Sequence, residues 1–235
     1  MVDTYSSSAA RTFHLTEADH QLVTDAVAHA EMHSDGEIVT IVADNSDSYN
    51  DVALGWATFV AFAALSAMTI FPAFYHSLIE WALGGWQKPI TANEYLAIVA
   101  IAVSIKWVAM RLLMNWIPLR LALTPKHIRN ARVRARAMDL FRVGAESKTR
   151  AKTAVLIYLS MREHRAEIVA DNAISQKVAP EKWGDAMISL VEKVRAGAPG
   201  AGMADAVAQV GVLLAEHFPR SSDDVNELPD RLIEL

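Results

Sequence analysis

A chain of 235 residues with no cysteine excludes disulfides, thiolate nucleophiles and cysteine metal sites at once. A formal net charge of -5 argues against a nucleic-acid carrier, while 52% hydrophobic residues and a mean hydropathy of +0.18 are high for a wholly soluble chain. The apolar excess is concentrated in residues 52–79 and 95–119, leaving roughly 180 residues for water-facing structure, the size of one domain.

Residues 1–13 read as a flexible leader, and the first part of the chain lacks the basic start and apolar core of a cleaved signal peptide. Thr16-Glu17-Ala18-Asp19 then signals a helix start, with Thr16 as N-cap and an acid three residues on. Leu22, Val23, Ala26, Val27 and Ala30 continue it at helical spacing to about His33. Asp35-Gly36 turns the chain into Ile38-Val39-Thr40-Ile41-Val42, a β-branched run without alternation and hence a strand covered on both faces.

Residues 52–79 carry no Asp, Glu, Lys or Arg and exceed the roughly 20 residues that a membrane-crossing helix needs. Trp56, Phe59, Tyr75, His76 and Trp81 suit interfacial belts, and Pro72 kinks or ends the span. The second stretch contains Lys106 and Arg111. Arg111 lies near the exit, whereas Lys106 is closer to the middle, where it either snorkels or serves an ion path or a lipid headgroup. Ala57, Ala61 and Ala64 would let the two helices approach closely. The connection 80–94 holds Lys88 against Glu80 and Glu94, whereas residues 123–152 carry nine Lys or Arg against Asp139 and Glu146. That bias places the second side, and with it the N-terminal segment, in the cytoplasm.

Thr124-Pro125 opens a further helix that Gly144 stops, with Ile128, Ala131, Ala135, Met138 and Phe141 as its apolar stripe. Lys126, Arg129, Arg132, Arg134 and Arg136 fill the remaining surface beside the membrane exit, where anionic lipid headgroups would attract them. With no interleaved aromatics, these charges do not point to nucleic acid. Ala154-Val155-Leu156-Ile157-Tyr158-Leu159 and residues 166–170 read as two more strands separated by Arg162-Glu163-His164-Arg165. A helix opens at Pro180 and closes at Gly197, and a last one runs from about Gly202 to His217 before Pro219. The first two strands should be parallel through a crossover and the third antiparallel to the second.

The fold class is therefore α/β, more narrowly α+β: a small mixed sheet of three to four strands flanked by helices. Residues 14–51 and 123–218 form the soluble domain, residues 52–122 a transmembrane helical hairpin that interrupts it, and residues 219–235 an acidic tail.

This order resembles the TPM domain family of bacteria and photosynthetic organelles. The resemblance rests on Gly36-Glu37-Ile38-Val39, Ala137-Met138-Asp139-Leu140-Phe141, residues 153–160, residues 162–171, Trp183 and residues 211–219. The ending Asp224-Val225-Asn226-Glu227-Leu228-Pro229-Asp230 is similar to the acidic tail of membrane-anchored bacterial members. The resemblance implies a place in the bacterial inner membrane and admits two activities, acid phosphatase chemistry and calcium binding. Many relatives are exported or lumenal with a signal or terminal anchor; here the span pair sits inside the domain.

Parallel pairing of the first two strands would bring Asp44, Asn45 and Asp47 to the same sheet edge as Arg162, Glu163 and His164, a usual place for ligands. The carboxylates could hold a divalent cation such as calcium, and Arg162 or His164 a phosphate, although residues 44–48 lack the glycine and terminal glutamate of a calcium loop. His29 and His33 share a helix face as zinc pairs do, but His29-Ala30-Glu31-Met32-His33 departs from the zincin order. Two functions follow: a binding, scaffolding or quality-control module for other membrane proteins at the cytoplasmic face, and a metal-assisted phosphatase. The expected partners are the bilayer, other membrane proteins and further copies of the chain.

Overall fold

Thr16 opens helix α1 (Glu17–Glu31) with a complete capping box: its hydroxyl accepts from the Asp19 N–H, and the Asp19 carboxylate accepts from the Thr16 N–H at 2.9 Å. The structure, a computed structural model, describes residues 15–82, 91–144, 153–221 and 228–235. The predicted leader, Lys88 and residues 222–227 of the predicted tail lie outside the described residues. The chain folds into two compact units: one combines the segments up to Asp47 and from Lys126 onward, and the other is Ser48–Pro125.

In the first unit, β1 (Glu37–Ala43) pairs in parallel with β2 (Ala154–Ser160) through seven residue pairs, Ile38 opposite Val155 and Val42 opposite Leu159. Strand β3 (Arg165–Ala170) runs antiparallel to β2, with Leu156 opposite Val169. Every residue of β1 and β2 is buried because helices cover both faces, which is why their sequences do not alternate. Ile38, Val42, Val155, Ile157 and Leu159 pack into one core with Val23 and Val27 of α1, Leu190 of α8 (Gly184–Arg195) and Val207, Val210 and Leu214 of α9 (Pro199–His217). Val39, Ile41, Leu156 and Tyr158 face the other way, onto Val133, Ala137 and Phe141 of α6 (Lys126–Gly144).

The helix predicted from Pro180 begins as a 3-10 turn (Pro180–Trp183) and continues as α8; Gly197, at φ +81°, supplies the left-handed residue that ends it. Helix α9 starts at Pro199, before the expected Gly202, because proline fits the first helical turn. It packs so tightly on α1 that a Cβ added to Gly211 would lie 2.6 Å from the Ala30 Cβ. A short helix α7 (Asn172–Ser175) links β3 to the 3-10 turn.

Two expectations require correction. The buried stripe of α6 is Val133, Ala137 and Phe141, whereas Ala131 and Ala135 are exposed: alanines satisfy helical spacing on several faces, and the larger Val133 selects the one that fills the core. Residues 219–235 are not simply a tail. Leu228 and Leu232 are buried, and β4 (Ile233–Glu234) pairs in parallel with β1, giving the order β3-β2-β1-β4. The Leu235 N–H donates to the Val42 carbonyl at 2.9 Å and the Asp44 N–H to the Leu235 carbonyl at 3.4 Å.

In the second unit, α2 (Asn50–Ile70) and α4 (Ala92–Leu113) pack on each other; both are long and apolar enough to cross a membrane. Ala53, Ala57 and Met68 of α2 and Val99 of α4 are buried, with Ala61 and Ala64 half-buried along the same stripe of α2. The Trp107 Nε1–H reaches the Thr58 hydroxyl at 3.5 Å. Helix α2 ends at Ile70, and Pro72 starts the separate helix α3 (Pro72–Ala82). Thr91 caps α4 with a second capping box through Glu94. After α4, Arg120 of α5 (Ile117–Leu123) is buried and donates from Nε to the Met114 carbonyl at 2.7 Å and from Nη1 to the Ser48 carbonyl. These bonds tie α5 to the end of α4 and to the segment just before α2.

Candidate functional site

The carboxyl ends of β1 and β2 lie side by side, and the backbone pairing runs on past both: the Met161 N–H donates to the Ala43 carbonyl and the Arg162 N–H to the Asp44 carbonyl, each at 3.0 Å. This extension sets Asp44, Asp47, Arg162 and Glu163 at one sheet edge. Arg162 Nη2 lies 3.7 Å from Asp44 Oδ2, and Arg132 of α6 is ion-paired to Asp47. The Asn45 side-chain amide donates to the Asp47 carbonyl at 2.8 Å, shaping the loop after β1.

Glu163 is only 4% exposed. One carboxylate oxygen accepts from the Ser46 N–H at 2.8 Å and the other from the Ser160 hydroxyl, so the residue clamps the loop after β1 to the end of β2. The Ser46 and Tyr158 hydroxyls lie 3.0 Å apart. Burial pushes the Tyr158 phenol above its ordinary range, the Ser46 hydrogen bond opposes this, and the Glu163 charge adds to it. The edge is thus an arrangement of matched charges joining loop, strand and α6. An anion or a cation bound at this edge would have to compete with these internal partners.

His164 does not join this group. It sits at φ 48° in the left-handed region and lines a cleft between β3 and α8 instead. Sequence reasoning missed Ser46, Tyr158, Ser160 and the pairing role of Arg132. The available signal was a tyrosine and a serine ending an otherwise apolar strand at the edge where β1 also ends.

Of the basic residues on α6, Lys126 and Arg136 are exposed, Arg129 is half-buried, Arg132 holds Asp47, and Arg134 lies 3.5 Å from Glu167 of β3. Burial raises the Glu167 carboxyl above its ordinary value, with Arg134 and then Arg165 pulling it back. A folded-state value above the unfolded one means that folding takes up a proton. The resulting stabilisation is complete below the unfolded value and is lost as pH rises through the folded one. Glu167→Gln is expected to flatten this part of the pH dependence, read as urea midpoints measured between neutral pH and about pH 4.

His29 and His33 are both exposed on α1, with ring centroids 5.0 Å apart. His33 Nδ1 lies 2.9 Å from the His29 carbonyl, which can only accept, so Nδ1 is the donor in this contact. Among the described residues no group of three His, Cys, Asp or Glu side chains converges to hold a metal. Lys106 is exposed on α4, while its neighbour Trp107 reaches α2.

Together these features define an α+β protein with one four-stranded mixed sheet and a clustered charge network at the ends of its central strands. A solved NMR structure, that of the BA42 protein from the psychrophilic bacterium Bizionia argentinensis, is similar to it: TM-score 0.55 at 18% identity, covering 95% of this chain and 97% of that one. The likeness is one of fold. No protein-family model matches the chain, and no curated protein matches it in sequence.

Proposed function

We propose that the chain is a membrane-anchored, TPM-like domain that works at the cytoplasmic face as a binding, scaffolding or quality-control module for other membrane proteins. The observation that carries this reading is the outward face of the α2 and α4 pair. Phe59, Phe62, Leu65, Ile101, Ile105 and Leu112 all point away from the partner helix, with Phe62 65% and Ile105 62% exposed. Water would penalise such a surface by about 25 cal/mol per Å², whereas hydrocarbon would not. At 1.5 Å per residue, helices of 21 and 22 residues reach about 31–33 Å, the thickness of a bilayer core. Exposed Trp81 and Trp116 suit the interfaces, and the basic residues of α6 favour a cytoplasmic side. The sequence phrases shared with the TPM family support the choice of domain type. The internal pairing of Asp44, Asp47 and Glu163 favours a structural role for that edge over metal-assisted phosphate chemistry.

Because the chain lacks cysteine, single substitutions report topology cleanly. The protein is expected to stay in the membrane pellet through a carbonate wash and to be released only by detergent. An impermeant maleimide added to spheroplasts should label Asn93→Cys and not Lys182→Cys. Release by carbonate, or labelling of Lys182→Cys alone, would overturn the placement.

A further inference from the structure

The end of α1 sets two imidazoles side by side, just ahead of β1 and a strand's length from the charged edge. His29 and His33 are four residues apart, the spacing at which side chains on a helix meet, and their ring centroids lie 5.0 Å apart. An ion about 2.1 Å from one nitrogen of each ring stands about 3.2 Å from each centroid, so rings meeting it at about 90–110° have centroids about 4.5–5.2 Å apart. The observed separation falls in that range. His33 Nδ1 donates to the His29 carbonyl, which leaves the lone pair of the neutral ring on Nε2. Metal-ligating imidazoles are commonly fixed in this way, through the other ring nitrogen. Among the described residues the His29 ring makes no hydrogen bond. The backbone beneath both rings is held: Val27 and Ala30 are buried in the core shared with α9, and the His33 carbonyl accepts from the Arg220 N–H at 3.3 Å. Glu31, between the two, reaches instead to β1, where its carboxylate accepts from the Ile38 N–H at 2.9 Å. A cleft of about 380 Å³ beside the pair is lined by the small residues Ala26, Ala208, Gly211 and Ala215, which leave room for water.

We propose that His29 and His33 chelate a divalent transition-metal ion of the class that prefers imidazole nitrogen, such as Zn²⁺, Ni²⁺ or Cu²⁺. The ligand atoms select the occupant. Two ring nitrogens suit these borderline ions, whereas calcium and magnesium need oxygen ligands that the pair does not offer. Two protein ligands are fewer than the four of a structural zinc site, so the ion keeps water in its remaining positions and exchanges readily. Affinity rises from Ni²⁺ to Cu²⁺, the order that nitrogen sites impose. The site is independent of the membrane placement and of the binding-module reading, and it is separate from the carboxylates at the strand ends.

The test uses the full chain in detergent micelles, free of any affinity tag, titrated with NiCl₂ in a calorimeter. Saturable binding of one ion per chain is expected. His29→Ala and His33→Ala should each weaken it at least about tenfold, because each removes half of a chelate, and His127→Ala should leave it unchanged. Asp25→His combined with His29→Ala keeps the chain at eight histidines but sets the two imidazoles eight residues apart, beyond the reach of one ion. It should bind as weakly as the single variants. These positions are exposed, so each variant is expected to keep the urea midpoint of the parent. A second readout needs no variant: in the parent with isotope-labelled histidine, the paramagnetic ion should broaden the ring signals of His29 and His33 before those of any other histidine. Three results overturn the proposal: Ni²⁺ binding no tighter in the parent than in the His29→Ala, His33→Ala double variant, undiminished affinity in the respaced chain, or broadening that reaches other histidines first.

Discussion

A chain in which Ser48–Pro125 is replaced by a flexible linker of about eight Gly and Ser residues is expected to leave the membrane fraction entirely and fold as a soluble domain. The topology is the reason. Parallel β1 and β2 need a crossover of about a dozen residues or more, and α6 alone, at 19 residues, supplies it. The ends to be joined are close: Arg132, on the second turn of α6, is ion-paired to Asp47, and the helix start lies only about 9 Å further along its axis. A linker of that length spans about 15 Å. Among the described residues, no strand, and neither core cluster of the first unit, draws on residues 48–125. The measurements are ultracentrifugation without detergent, far-ultraviolet circular dichroism and a cooperative urea transition. Insoluble or non-cooperative material would show that residues 48–125 are needed for the domain to fold.

How far the fold could be read in advance varied with the physics of each segment. Residues 38–42 and 154–159 announced themselves because strands buried on both faces must be apolar at every position. Thr16 with Asp19 marked α1 because a capping box is a local, reciprocal pair of bonds. Strand β4 gave no such signal: two residues are too few for a periodic pattern, and Ile233 is followed by Glu234, which is held by His20 at 2.8 Å. The stripe of α6 was misplaced because its alanines are compatible with more than one buried face. At the strand ends, parallel pairing correctly brings Asp44, Asp47, Arg162 and Glu163 together, but His164 leaves the group because a single left-handed residue redirects the chain. Nor could residue type alone separate a carboxylate awaiting a cation from one already accepting a backbone N–H and a hydroxyl.

That distinction makes Glu163 the most sensitive position at the edge. Glu163→Ala is expected to cost about 3 kcal/mol, since it removes a charged acceptor and leaves the Ser46 N–H and the Ser160 hydroxyl to find other partners in a buried setting. For a domain of this size that corresponds to a fall in Tm of roughly 6–12 °C. Glu163→Gln should cost about 1 kcal/mol or less: its amide oxygen can accept from Ser46 while its NH₂ donates to the Ser160 oxygen, a hydroxyl able to reverse its role. Asp44→Ala breaks a mostly buried pair, with the Arg162 side chain 14% and the Asp44 side chain 25% exposed, but one held only at 3.7 Å, and should cost about 1 kcal/mol. A loss that is largest for Glu163→Ala and distinctly smaller for Glu163→Gln and Asp44→Ala is the signature of a structural clamp, and urea midpoints of the three variants read it directly. Metal-assisted phosphate chemistry imposes a different order, because there Asp44→Ala would abolish turnover while leaving the fold intact, and Glu163→Gln would be nearly as damaging as Glu163→Ala. With p-nitrophenyl phosphate and added calcium, release by the parent protein and by Asp44→Ala is expected to match the buffer rate. Release by the parent that disappears in the stable Asp44→Ala variant would return the enzyme reading to this edge.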